Sequence, residues 1–183
     1  LITEEQLVVE LKSGSQKEQA FRKLVSAYGQ RLYWHIRKMV LDHDDADDVL
    51  QNTFIKVYKN IGNFKEDSKL YTWLYRIATN EAINFINKRS RRAMVTSEEV
   101  QQQALDKLEA DVYFEGDQIQ LALQKAIATL PERQRLVFNM KYFDDLTYEE
   151  LSEILDVTVG GLKSSYHLAV KKIKAHLLLQ DKQ

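Results

Sequence analysis

The sequence contains no cysteine, which excludes disulfide staples and thiolate metal sites and fits a reducing compartment. One proline and six glycines leave little material for the turns of a sheet, while the good helix formers Leu, Lys, Glu, Gln and Ala abound. These scarcities point to an all-α chain. No apolar run approaches the roughly 20 residues that span a bilayer, so no membrane insertion is expected. The opening residues, Leu1-Ile2-Thr3-Glu4-Glu5-Gln6, are acidic where a signal peptide is basic. A cytoplasmic location is therefore expected, and Leu1 in place of Met suggests a trimmed start. Catalytic constellations are missing too: there is no glycine-rich phosphate loop, no H-E-x-x-H, and His35, His43, His167 and His176 are too scattered for a metal site. No enzyme activity, cofactor or small-molecule substrate is expected.

What remains is a chain of 183 residues, 44% apolar and 29% charged, an ordinary balance for a globular protein of one domain or two small ones. Its net charge of −1 conceals a strong segregation. Residues 1 to 92 hold 16 Lys and Arg against 12 Asp and Glu, a net of +4. Residues 93 to 117 hold one against seven, a net of −6, and residues 118 to 183 hold nine against eight. Two helical domains, 1–92 and 118–183, joined by a flexible acidic linker over 93–117 are expected, with a weak helix near Glu98 to Lys107.

Capping boxes at Thr3/Gln6 and Ser15/Glu18 predict a short helix and then a long one from about Gln16 to Leu41. The long helix places Ala20, Phe21, Leu24, Tyr28, Leu32, Ile36 and Met39 on one side. Asp44 or Asp45 is expected to cap a third helix, with Asp47 and Asp48 near the positive end of its dipole. Ala46, Val49, Leu50, Thr53, Phe54, Val57, Tyr58 and Ile61 form the core face of that helix. Asp48, Gln51, Ile55 and Lys59 are left outward, either as a protein-docking strip or as a surface with one stray apolar residue.

Gly62 and Asn63 end this helix, a charged loop follows from Phe64 to Lys69, and a fourth helix begins near Leu70. Leu74, Ile77, Ala78, Ile83 and Ile86 suit a core. Tyr71, Trp73, Tyr75 and Arg76, with Asn80, Asn84, Asn87 and Lys88, supply the π faces, amides and cations that splayed single-stranded bases need. Trp73 serves a core equally well. Lys88, Arg89, Arg91 and Arg92 then gather cations suited to phosphates or to the negative end of the helix. Beyond the acidic stretch, helices are predicted from Asp117 to Thr129 and, opened by Pro131, to Tyr142, with Val137, Phe138 and Met140 apolar.

The most informative stretch runs from Thr147 to Lys174. Thr147 and Glu150 form a capping box for a short helix with Leu151, Ile154 and Leu155 on one side. Asp156-Val157-Thr158 breaks the period, and Thr158 caps a second helix whose core stripe is Val159, Leu162, Tyr166, Ala169, Ile173 and Leu177. The other side carries Gly160, Gly161, Lys163, Ser164, Ser165, His167, Leu168, Lys171 and Lys172, and no acidic residue occurs between Asp156 and Asp181. A short helix, a three-residue turn and an acid-free second helix have the layout of a DNA-reading helix-turn-helix, although any two antiparallel helices share its outline.

Three segments together resemble one family, the extracytoplasmic-function sigma factors of bacterial RNA polymerase. Asp45, Ala46, Asp48, Gln51 and Phe54 resemble its D-A-x-D-x-x-Q-x-x-F helix. Trp73-Leu74-Tyr75-Arg76-Ile77-Ala78 followed by Asn80 is similar to its W-L-y-r-I-A-x-N promoter-melting signature, and Leu130-Pro131-Glu132-Arg133-Gln134-Arg135 with the helix-turn-helix resembles its second domain. The resemblance implies that Asp45, Asp48, Gln51, Phe54 and Ile55 bind core polymerase at the β′ clamp helices. It implies minus-10 DNA contacts from Lys69, Tyr71, Thr72, Trp73, Arg76, Asn80, Asn84 and Lys88. The second domain would hold the β flap and read the minus-35 element through Thr158, Gly160, Gly161, Lys163, Ser164, Ser165, His167, Leu168, Lys171 and Lys172. Promoter DNA and an anti-sigma factor are the remaining implied partners.

The recognition helix departs from the family pattern G-T-V-K-S-R-L-x-R-A-R, reading G-G-L-K-S-S-Y-H-L-A-V. Gly161, Ser165, Leu168 and Val170 stand where a Thr and three Arg are common, so the usual minus-35 sequence is not implied. Asn84 stands where family members often have Asp. Two rivals differ in kind: a stand-alone helix-turn-helix regulator has no need of the Trp73 segment, and a protein-only helical adaptor leaves the acid-free stretches unexplained.

Overall fold

The computed structural model describes residues 3–14, 16–93, 106 and 118–180, and every described element is helical. In chain order these are α1 (Glu4–Ser13), α2 (Lys17–Val40), α3 (His43–Asn60) with a single 3-10 turn at Ile61–Asn63, and α4 (Leu70–Ala93). Then come α5 (Gln118–Ala128), α6 (Glu132–Tyr142), α7 (Tyr148–Leu155) and α8 (Val159–Gln180). The chain separates into two compact units, Leu1–Phe85 and Ile86–Gln183, with the division falling inside α4. The acidic stretch, including the helix expected near Glu98 to Lys107, lies outside the described residues apart from Asp106, which is helical.

In the first unit α1 is closed by the expected box, with Gln6 N–H donating to Thr3 Oγ1 and Thr3 N–H to Gln6 Oε1. Its Leu7, Val8 and Leu11 are buried, as are Ala20, Leu24, Leu32, Ile36 and Met39 of α2. The start of α2 differs from expectation. Ser15 lies outside the described residues, and Gln16 precedes the helix without a side-chain capping bond. The cap of α3 also moves: Asp42, rather than Asp44 or Asp45, accepts the amide of Asp45 at 3.0 Å. Leu41, left-handed at φ 62°, ends α2 so tightly that Asp42 is already extended and poised to cap. Asp44 and Asp45, not Asp47 and Asp48, therefore occupy the first turn, where carboxylates meet the positive end of the helix.

Ala46, Val49, Thr53, Val57 and Ile61 complete the buried side of α3, while Leu50, Phe54 and Tyr58 are half-buried at its margin. Phe21 of α2 meets Phe54 and Tyr58 edge-on at 6.0 and 5.0 Å. His35, one of the four scattered histidines, is wholly interior. Its Nε2 lies 2.9 Å from Thr79 Oγ1 and its ring 4.8 Å from that of Tyr75, joining α2 to α4.

The second unit is built on α8. Ala169 and Ile173 pack with Ala126, Ile127, Leu130 and Phe138, flanked by Leu123, Tyr166, Val170 and Leu177. Burying the Ile, Leu and Phe side chains among these contributes about 1.5–3 kcal/mol each. Leu151, Ile154 and Leu162 seal the angle between α7 and α8. Pro131 sits immediately before α6 rather than within its first turn, at φ −52° and ψ 142°.

Candidate protein and nucleic-acid interfaces

Helix α3 presents two distinct faces because its apolar residues recur at three- and four-residue steps. Opposite the buried face, Asp48, Gln51, Ile55 and Lys59 are all exposed, Ile55 by 45%. Phe54 is half-buried beside this row and Asp45 half-buried at its start. A carboxylate, an amide and an aliphatic side chain one above another provide polar register around an apolar contact, which suits docking by another protein.

Helix α4 sorts its residues as sharply. Trp73, Arg76, Asn80 and Asn84 lie on one side, since successive residues turn by about 100°. Arg76, Asn80 and Asn84 are exposed, and Lys88 is exposed one turn further along the helix. Trp73 is half-buried, its ring 5.3 Å from that of Phe64 in the preceding loop. The loop thus holds one face of the indole and leaves part of the ring accessible. Tyr71 falls about 160° round the helix from Trp73, half-buried, with its ring 6.5 Å from Tyr75 and Lys69 Nζ 5.4 Å from its centre.

Two of the residues that the sequence offers to bases in this segment are interior. Tyr75 is 1% exposed and packs on His35, so it offers no face to a base. Thr72 is 3% exposed, and its Oγ1 has no hydrogen-bond partner among the described residues. The expected DNA contact from Thr72 thus does not fit its position in this conformation. Aromatic and β-branched types suit both core and nucleic-acid contact, so residue type alone does not separate them.

In the helix-turn-helix, Thr147 Oγ1 accepts Glu150 N–H at 3.2 Å and Glu150 Oε2 accepts Thr147 N–H at 2.9 Å. Asp156, left-handed at φ 55°, ends α7, and Thr158 Oγ1 accepts Gly161 N–H at 3.3 Å to open α8 three residues later. Gly160, Gly161, Lys163, Ser164, His167, Leu168, Lys171 and Lys172 are exposed, and Ser165 is half-buried. The two glycines differ. A methyl at Gly160 would meet nothing within 4 Å, whereas one at Gly161 would press on Thr158 Oγ1 at 3.2 Å. Tyr148, which no motif in the sequence singles out, anchors the corner: Lys141 and Lys163 Nζ lie 5.6 and 5.7 Å from its ring centre. Two cations on one ring keep positive charge close to the start of α8.

Comparison with known proteins gives these surfaces a family. The Sigma-70 region 2 profile matches residues 24–92 and the Sigma-70 region 4 profile matches residues 120–173. The chain is 35% identical over 169 residues to the RNA polymerase sigma-H factor of Pseudomonas aeruginosa, covering 88% of this chain and 86% of that one. It is 31% identical over 178 residues to the ECF sigma factor SigW of Bacillus subtilis, covering 93% and 94%. Two solved structures share the fold. CnrH, solved with the cytosolic domain of CnrY, has a TM-score of 0.70 at 22% identity, covering 98% of this chain and 99% of its own. The sigma factor RpoE of Bartonella quintana, solved with the anti-sigma factor NepR, has 0.68 at 21%, covering 86% and 96%. The chain belongs to the extracytoplasmic-function group of sigma-70 factors. It is accordingly a non-catalytic transcription factor that directs RNA polymerase to promoters. Among the described residues no helix is long and apolar enough to cross a membrane.

Proposed function

We propose that the first unit binds core polymerase through the outward row of α3, that α4 opens the minus-10 element, and that the second unit reads the minus-35 element with α8. Core binding falls to Asp45, Asp48, Gln51, Phe54 and Ile55, set against the β′ clamp helices; the second unit engages the β flap. The observation that carries this reading is the two-faced α3, with Asp48, Gln51 and Ile55 exposed directly behind a buried Val49, Thr53 and Val57 stripe. On α4, Lys69, Tyr71 and Trp73 supply a cation and stacking rings, and Arg76, Asn80, Asn84 and Lys88 follow the displaced strand. Thr72 takes part only if the segment rearranges on DNA. An anti-sigma partner is also proposed, supported by the fold shared with two proteins solved in complex with CnrY and NepR.

The test is a pull-down with core polymerase, paired with run-off transcription. Asp48→Ala and Gln51→Ala should each weaken core binding several-fold while unfolding stability changes by no more than an exposed polar substitution usually costs, about 0.5 kcal/mol. Loss of fold in step with loss of binding would refute the surface role.

A further inference from the structure

Helix α4 takes a capping acceptor from another helix. The residue before it is Lys69, which offers no side-chain acceptor to the first amides, and its first turn contains no acid to meet the positive helix end. The acceptor comes from α1: Leu70 N–H donates to Glu4 Oε1 at 2.8 Å. The other oxygen of the same carboxylate, Oε2, accepts the Tyr28 hydroxyl of α2 at 3.2 Å. Burial first, then the charge and hydrogen bond of Glu4, push Tyr28 up to about 12, so this hydroxyl remains a donor at neutral pH. Glu4 is available because α1 does not need it, its own cap being the Thr3–Gln6 box.

The far end of α1 holds the same loop. Lys12 Nζ lies 2.5 Å from the carboxylate of Glu66, a left-handed residue at φ 62°, and 5.7 Å from the centre of the Phe64 ring. Phe64 in turn packs on Trp73. Both ends of the segment between the 3-10 turn and α4 are thus tied to α1. The α1 side of the tie, Glu4 and Lys12, lies outside the region 2 match, which begins at residue 24.

We infer that Glu4 is a positioning residue for promoter opening: it caps α4 from another helix, and through it α1 fixes where Lys69, Tyr71 and Trp73 are presented to DNA. This rests on the melting role proposed for α4. Three variants of the full chain test it. Glu4→Ala removes the acceptor, Glu4→Gln keeps a neutral acceptor oxygen, and Glu5→Ala removes the adjacent first-turn acid of α1 as a control for the stability of that helix.

Hydrogen exchange of the free protein should show the Leu70 amide about two- to thirtyfold faster in Glu4→Ala, the range expected for a lost cap. Glu4→Gln and Glu5→Ala should stay near wild type. With core polymerase, Glu4→Ala should open a duplex promoter several-fold more slowly yet match wild type on a premelted template, with Glu4→Gln restoring most of the difference. The inference is overturned if Glu4→Ala behaves as Glu5→Ala does in exchange, or if exchange quickens while duplex opening does not change. A wild-type chain that fails to bind core polymerase counts instead against the function proposed above, and the exchange comparison then decides the cap alone.

Discussion

Thr72 carries a buried hydroxyl with no partner among the described residues, in the middle of a segment otherwise suited to nucleic acid. A polar group in that state costs about 1–3 kcal/mol, and an apolar group of the same shape removes the cost. Thr72→Val should therefore leave the protein as stable or more stable, by up to about 1 kcal/mol, and should not slow opening of a duplex promoter. Urea unfolding and open-complex kinetics check the two halves separately. A stabilised variant that opens duplex promoters poorly would mean that the hydroxyl emerges to meet DNA. Asn80 and Asn84 make the contrast, because amides four residues apart on an amphipathic helix are legible as exposed from the sequence alone. Threonine is at home on either side of a helix, so its side is not legible.

At the scale of the element, the minus-35 role proposed for α8 makes a local sequence departure an expected difference in readout. Its two glycines lower helix propensity by about 1 kcal/mol each, but only Gly161 has a structural reason to lack a side chain, the close approach to Thr158 Oγ1. Gly160→Ala should accordingly stabilise the second unit by about 0.4–1 kcal/mol, and Gly161→Ala should gain less or lose, as the Thr158 cap yields; thermal unfolding separates them. A probe of base readout is better placed at Ser165, which lies clear of that cap. With Ser165, Leu168 and Val170 where arginines are common, guanine loses its bidentate partner and the site should lean toward A·T. Ser165→Arg should shift the sequences selected from random duplexes, whereas Lys171→Ala should weaken all of them and lower the salt slope by roughly one unit per lost phosphate contact. Unchanged selection by Ser165→Arg would remove this face from base recognition.

The elements themselves are largely legible in the sequence because amphipathic periodicity, capping boxes and the scarcity of proline and glycine agree with one another. The boundary between α2 and α3 is not. Four acids within five residues, Asp44, Asp45, Asp47 and Asp48, draw the expected cap inward, whereas a left-handed Leu41, which no propensity favours, sets it at Asp42. The tie from Glu4 to Leu70 is equally hidden, since the two residues are 66 positions apart in sequence and only tertiary packing brings them together. Apart from that cap, which a left-handed backbone residue sets, legibility follows the range of the interaction: contacts within one turn are readable, and contacts between helices are not.

For the molecule as a whole, the consequence of two compact units is that each closes a core of its own. Leu32 and Ile36 are wholly buried in the first, Leu162 and Ala169 in the second. Both tryptophans of the chain, Trp34 and Trp73, belong to the first unit, so indole fluorescence reports that unit while far-ultraviolet circular dichroism reports the helices of both. Truncating a fully buried leucine costs about 2–5 kcal/mol. Leu162→Ala should therefore lower part of the dichroism transition in urea and leave the fluorescence midpoint where it was; Leu32→Ala should lower the fluorescence midpoint and spare the remaining part of the dichroism signal. If Leu162→Ala moved both signals together, the units would be unfolding as one cooperative body, and damage in the second would reach the role proposed for the first through stability alone.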